Sequence, residues 1–141
     1  MIRKTPIIFE KSIPGPDKLT ENVDDYEYTI SPKSFWQSHK NAPSILLQQV
    51  ISNANIKIDE VVCDLYGGVG LFTLPISKLV GNNGQVHLIE MDRTCIQDAN
   101  IMFENVDNIF IHRCYFNPSS FYYIIYNLSY REKKIPTRKI K

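Results

Sequence analysis

The run Asp64-Leu65-Tyr66-Gly67-Gly68-Val69-Gly70-Leu71-Phe72 decides the fold of this 141-residue chain. It continues Glu60-Val61-Val62-Cys63, so a short apolar segment runs straight into closely spaced glycines. An apolar run of this length suits a strand covered on both faces, as in a parallel sheet. Glycines at its end let the backbone approach a ligand without Cβ clashes, in the crevice at the carboxyl ends of the strands. Outward from there the pattern repeats. A helix is expected over Leu71 to Val80, closed by Gly81 and the turn Asn82-Asn83-Gly84. A strand follows over Gln85 to Ile89 and ends at Glu90, then a helix over Arg93 to Asn105 and a strand over Asn108 to His112. Upstream, Tyr26 to Ile30 alternates like a half-buried strand, and a helix is expected from Pro43 to Asn55 with Asn41 as its N-cap.

Strand–helix–strand–helix–strand with short connections predicts an α/β, doubly wound, Rossmann-like domain. Complete sheets of this kind carry more strands, so the domain reads as truncated. Residues 1–30, with Pro6, Pro14, Gly15 and Pro16, read as an extended arm and a strand leading in. Residues 31–114 hold the repeating pattern. Residues 115–141 read as a divergent tail, first aromatic with one strand around Phe121 to Tyr126, then basic and poorly ordered.

Composition narrows the function classes. An apolar fraction of 43% argues against disorder throughout. No apolar run approaches the ~18 residues that suggest a membrane span, and MIRKTPIIFEK has no secretory apolar core, so a cytoplasmic protein with no membrane partner is expected. Cys63, Cys95 and Cys114 form no CxxC pair, and His39, His87 and His112 show no ligand spacing among themselves or with the cysteines. Free thiols and no metal are therefore expected. The net charge of +1 conceals a tail, 131–141, of +5 and a preceding body of −4. The body thus offers no obvious cationic face for nucleic acid.

Glu90 stands twenty residues after Gly70, where a carboxylate can accept the hydroxyl hydrogens of a ribose. Two cofactor classes compete for such a site. A dinucleotide fingerprint places a third glycine where this chain has Thr73, and Asp64 beside the loop would repel a pyrophosphate. S-adenosylmethionine carries a cationic sulfonium and amine, so an acid there favours it over a nicotinamide or flavin. A phosphate-binding P-loop is excluded, because no Gly-Lys-Ser/Thr follows. The remaining alternative is a strand–turn–helix corner whose glycines serve packing only.

Phe35-Trp36-Gln37, the helix from Ala42, Asp64-Leu65-Tyr66-Gly67-Gly68-Val69-Gly70 and Glu90 together resemble the RNA uracil-5 methyltransferase family. That family shows an F-x-Q element, then D-L-Y-x-G-x-G, then a glutamate closing the next strand, and the match runs over about residues 14–113. The resemblance implies that Gln37 touches S-adenosylmethionine from the segment ahead of the domain. It implies that Asp64 and the backbone of Gly67, Gly68 and Gly70 face the methionine moiety, that Tyr66 shapes the pocket wall, and that Glu90 holds the ribose. Without the resemblance, Gln37 reads as a surface amide, and Phe35 and Trp36 as core packing.

The departures concern the chemistry. The family places an acid for the adenine after the third strand, where this chain has His112-Arg113-Cys114-Tyr115-Phe116. Its D-P-P-R segment, later nucleophilic cysteine and glutamate base have no counterpart here. In the family a thiolate adds to carbon 6 of uracil, carbon 5 attacks the sulfonium methyl, and the base removes the carbon 5 proton. Cys63, Cys95 and Cys114 do not occupy the motif position of that nucleophile. The expectation is an RNA methyltransferase of the uracil-5 type, acting on tRNA or rRNA in its parent form. Here it is reduced to a cofactor-binding half with no catalytic residue, and a second chain is one source for the missing half. The alternative is a non-catalytic RNA- or protein-binding module that uses the half-domain and the basic tail.

Overall fold

The computed structural model describes residues 15–115 and residue 119. The first part of the expected arm, the strand expected around Phe121 to Tyr126 and the basic tail lie outside the described residues.

Two strands, β1 (Leu19–Val23) and β2 (Tyr26–Ile30), pair antiparallel with Val23 opposite Tyr26, so Asp24 and Asp25 form a two-residue hairpin turn. Asp24 takes φ +50°, a left-handed conformation that a short polar side chain tolerates. Sequence reading expected β2 and only an extended arm before it. β1 (LTENV) exposes four of its five residues and carries no apolar alternation, so its pairing with β2 alone makes it a strand. Helix α1 (Ala42–Ala54) begins with Pro43 in its first turn and ends at Asn55, φ +50°. Asn41 precedes it as expected but does not cap it. Its backbone is already helical, and a capping side chain needs an extended backbone to reach the exposed N–H groups.

The remaining strands, β3 (Val61–Leu65), β4 (Gln85–Glu90) and β5 (Ile109–Arg113), form a parallel sheet in the order β3-β4-β5. Helices α2 (Thr73–Val80) and α3 (Arg93–Met102) provide the crossovers that parallel neighbours require. α2 starts two residues later than the sequence suggests, because the glycine loop extends through Phe72. α3 stops at Met102, where Phe103 turns its N–H back to the Ala99 carbonyl. Val86 packs with Ile76 and Val80 of α2, and Leu88 packs with Ala99 and Phe103. Both crossover helices therefore cover one face of β4. Asn108 fixes the start of β5 by donating its side-chain N–H groups to the carbonyls of Ser77 (2.8 Å) and Gly81 (2.9 Å). The fold is the α/β, Rossmann-like arrangement expected, as a partial domain.

The hairpin is joined to this sheet through the glycine loop. Val23, Tyr28 and Ile30 share one core cluster with Leu47, Val69, Leu71 and Cys95. The Tyr28 hydroxyl donates to the Leu71 carbonyl at 2.9 Å, and burial pushes that phenol well above its usual range. No helix of the described residues is long and apolar enough to cross a membrane.

On the opposite face of β4, His87 is fully buried and sits 2.8 Å (Nδ1 to Nε2) from His112 on β5, with Phe110 stacked on it at 5.0 Å. One ring must donate and the other accept, so the pair is stable only when it is not doubly charged. Burial first, and the His112 charge second, lower the His87 pKa to about 4, and burial lowers that of His112. An unfolded histidine takes up a proton near 6.5, which the folded one refuses until lower pH, so stability is full above that value. It falls as pH drops from about 6.5 towards 4. Urea unfolding across that range should show the loss for the wild-type chain and a flatter profile for His87→Phe. Parallel profiles for the two would refute the assignment.

Candidate cofactor-binding site

β3 ends at Leu65, and the next residue, Tyr66, takes φ +59°, a left-handed conformation that costs a non-glycine residue about 1–2 kcal/mol. The glycine loop that follows is tied at three points. Gly67 N–H donates to the Ile89 carbonyl at 3.2 Å, Gly70 N–H donates to the Gly67 carbonyl at 2.8 Å, and Gly68 N–H donates to Glu90 Oε2 at 2.9 Å. Gly68, φ +58°, has open space where a Cβ would stand, whereas a Cβ on Gly70, φ +96°, would lie 2.5 Å from the Phe103 ring. The two glycines serve different ends: Gly70 lets Phe103 close the core, and Gly68 borders open space.

Glu90 is the acid the sequence placed at the end of β4, and the structure brings it to the loop. Its Oε1 accepts from the N–H groups of Met91 (2.6 Å) and Asp92 (2.8 Å), while Oε2 takes Gly68. A carboxylate has about four acceptor sites. Three are filled, so in this conformation one lone pair is open to a further donor, where the sequence alone leads one to expect room for both hydroxyls of a ribose. Asp92, unremarked in the sequence, caps α3 by accepting from Thr94 N–H (2.8 Å) and Cys95 N–H (2.9 Å), and the Cys95 bond leads the causes that lower its pKa.

Asp64 lies under the loop, 9% exposed, and Oδ2 accepts from the Thr73 hydroxyl at 2.6 Å. Burial raises its pKa, the two bonds from Thr73 oppose that, and the Glu90 charge adds to it. Thr73 thus holds a carboxylate at the position where a dinucleotide fingerprint would have glycine. Beside Glu90 opens a cavity of about 200 Å³ lined by Tyr66, Ile89, Glu90, Met91, Cys114 and Tyr115. Its wall is apolar but for that carboxylate. An apolar cavity beside a carboxylate suits a ligand that has an apolar face and a donor for that acid. Ile89, Met91 and Tyr115 escaped the sequence reading, because nothing in their spacing marks them and only the β4–β5 register gathers them.

Of the expected F-x-Q residues, Trp36 is half-buried, 5.5 Å from Tyr28 in a tilted ring pair, and packs on the cluster containing Val69 and Leu71. Gln37 is half-buried directly after it. Phe35 departs from expectation: it is 69% exposed rather than packed in the core, while Trp36 beside it takes the place against Tyr28. Burial raises the thiol pKa of both Cys63 in β3 and Cys95 in α3, which keeps them protonated and poorly nucleophilic. The Cys114 thiol donates to the Tyr115 carbonyl at 3.3 Å.

With this geometry the chain can be set beside known proteins. No family model matches it. An uncharacterized RNA methyltransferase of Bifidobacterium longum is 31% identical over 66% of this chain and 23% of its own length. One from Listeria innocua is 31% identical over 75% of this chain and 24% of its own. The crystal structure of the Pyrococcus abyssi tRNA (uracil-54, C5)-methyltransferase, in complex with S-adenosyl-L-homocysteine, superposes with a TM-score of 0.57 at 27% identity, over 72% of this chain and 24% of that one. The chain resembles the N-terminal half of an RNA uracil-5 methyltransferase catalytic domain. It spans about a quarter of the length of these RNA methyltransferases.

Proposed function

We propose that this chain is the S-adenosylmethionine-binding segment, residues 31–114, of an RNA methyltransferase of the uracil-5 type. One observation carries the reading: Glu90 reaches across the strand ends to the Gly68 N–H, with an open position at Gly68 and an apolar cavity beside it. Glu90 would take a ribose hydroxyl, Tyr66, Met91 and Tyr115 would flank the adenine, and Gly67, Gly68 and Gly70 would admit the methionine end. The ionised form of Asp64, held by Thr73, would favour a cationic ligand from below the loop. Gln37 would approach from the segment ahead of the domain. When bound, the cofactor supplies an electrophilic methyl group. Burial of the Cys63 and Cys95 thiols supports assigning the attack on uracil to none of these described cysteines. The RNA, tRNA or rRNA, belongs to the reading by similarity.

Calorimetric titration with S-adenosylhomocysteine tests it. Wild-type chain should bind in the micromolar range, and Glu90→Ala should weaken binding by about tenfold or more, since it removes both a sugar acceptor and the tie to Gly68. Glu90→Gln should fall between, keeping one acceptor oxygen. No binding by a folded wild-type chain would overturn the reading.

A further inference from the structure

Asp98 is charged, on α3, and almost completely buried, yet it serves nothing in the cofactor cleft. Its carboxylate is spent on the segment before Phe35. Oδ2 accepts from the Ser31 N–H (2.8 Å) and the Ser34 hydroxyl (2.6 Å), and Oδ1 accepts from the Ser31 hydroxyl (2.7 Å) and from Lys18 Nζ (3.1 Å). Four donors converging on one buried carboxylate, three of them from a single Ser-Pro-Lys-Ser turn, fix that turn to the helix. Charge-assisted bonds in a desolvated place are the strong ones.

What the turn leads into gives the clasp its meaning. Phe35, Trp36 and Gln37 follow Ser34 directly, and Trp36 packs on the cluster that includes Val69 and Leu71 of the glycine loop. One turn earlier on α3, Cys95 is also turned towards this segment, and α3 begins at the Asp92 cap, two residues from Glu90. The strand end that holds Glu90 and the segment that holds Gln37 are therefore set by the same helix. We infer that Asp98 is a positioning residue: by gripping Ser31 and Ser34 it holds the Phe35–Gln37 segment against the glycine loop, so that Gln37 meets the cofactor in a fixed place. The inference rests on the reading that the cleft takes S-adenosylmethionine, and adds a residue that touches no ligand.

The chain's single tryptophan, Trp36, lies inside the positioned segment and reports on it directly. Asp98→Asn should shift Trp36 emission to longer wavelength and weaken S-adenosylhomocysteine binding about tenfold. Ser31→Ala/Ser34→Ala removes the two hydroxyl bonds of the grip without touching the helix, leaving the Ser31 N–H and Lys18, and serves if Asp98→Asn fails to fold. The deciding measurement is a double-mutant cycle with Gln37→Ala. If Asp98 acts through Gln37, Asp98→Asn adds no further loss in the Gln37→Ala background. Losses that multiply in the double variant, or wild-type affinity and unshifted emission in Asp98→Asn, would overturn the inference while leaving the cofactor reading intact. A folded wild-type chain that binds no S-adenosylhomocysteine would instead remove the cofactor reading and the inference with it.

Discussion

Gly70→Ala is expected to destabilise the chain by about 3 kcal/mol, whereas Gly68→Ala costs only about 1 kcal/mol. Both residues sit at positive φ, +96° and +58°, so both substitutions carry a backbone penalty. The difference is what a methyl group meets. At Gly70 it would stand 2.5 and 2.6 Å from two atoms of the Phe103 ring and 3.3 Å from Leu88, in the cluster that closes β4 against α3. Phe103 is buried, so its ring can withdraw only by opening that cluster. At Gly68 the methyl group meets nothing within 4 Å. Urea unfolding of the two variants reads the contrast. Phe103→Leu should recover part of the Gly70→Ala loss in a double variant, since it removes the obstructing ring atoms. Equal stability of the two alanine variants would contradict the packing described. Ligand binding should show the reverse order of cause: Gly68→Ala, though stable, should lose S-adenosylhomocysteine, because its methyl group enters the space left for the ligand.

Thr73→Val is expected to destabilise by about 1–3 kcal/mol at neutral pH, and Thr73→Ser by much less. Valine keeps the shape and removes the hydroxyl that donates to buried Asp64 at 2.6 Å. The pH dependence identifies the cause. Asp64 already has a folded pKa above its usual 3.8, chiefly through burial, and loss of the Thr73 hydroxyl raises it further. A carboxyl whose folded pKa exceeds its unfolded one binds more protons when folded, so its penalty grows as pH rises through that window and fades as pH falls. The Thr73→Val deficit should therefore be largest at neutral pH and shrink as pH falls into the acid range. A deficit independent of pH would mean that valine disturbs packing and not the carboxylate.

The structure also separates residues that looked alike in the sequence. Asp64, Glu90 and Asp98 are all acids of the same half-domain. Glu90 could be assigned to the strand end because its distance from Gly70 is a property of one strand–helix–strand unit. Asp98 could not be found, since its partners Ser31, Ser34 and Lys18 lie 64 to 80 residues away and share no period with it. His87 and His112 likewise carry no common spacing, yet two adjacent strands bring their rings together. Phe35 reads as core in the sequence, yet it is Trp36 that lies against Tyr28 while Phe35 stays exposed.

The alternation of strands and helices, the glycine loop at the end of β3 and the acid at the end of β4 are legible in the order of the residues alone. Those features depend on local periodicity and on the backbone freedom of glycine, which a chain carries without reference to its partners. The pairing of β1 with β2, the open space at Gly68 against the Phe103 ring at Gly70, and the cavity that Ile89, Met91 and Tyr115 wall beside Glu90 arise from packing in three dimensions. Each of these is set by which strand lies beside which and by the volume left between side chains remote in sequence, and neither quantity is encoded in any single segment.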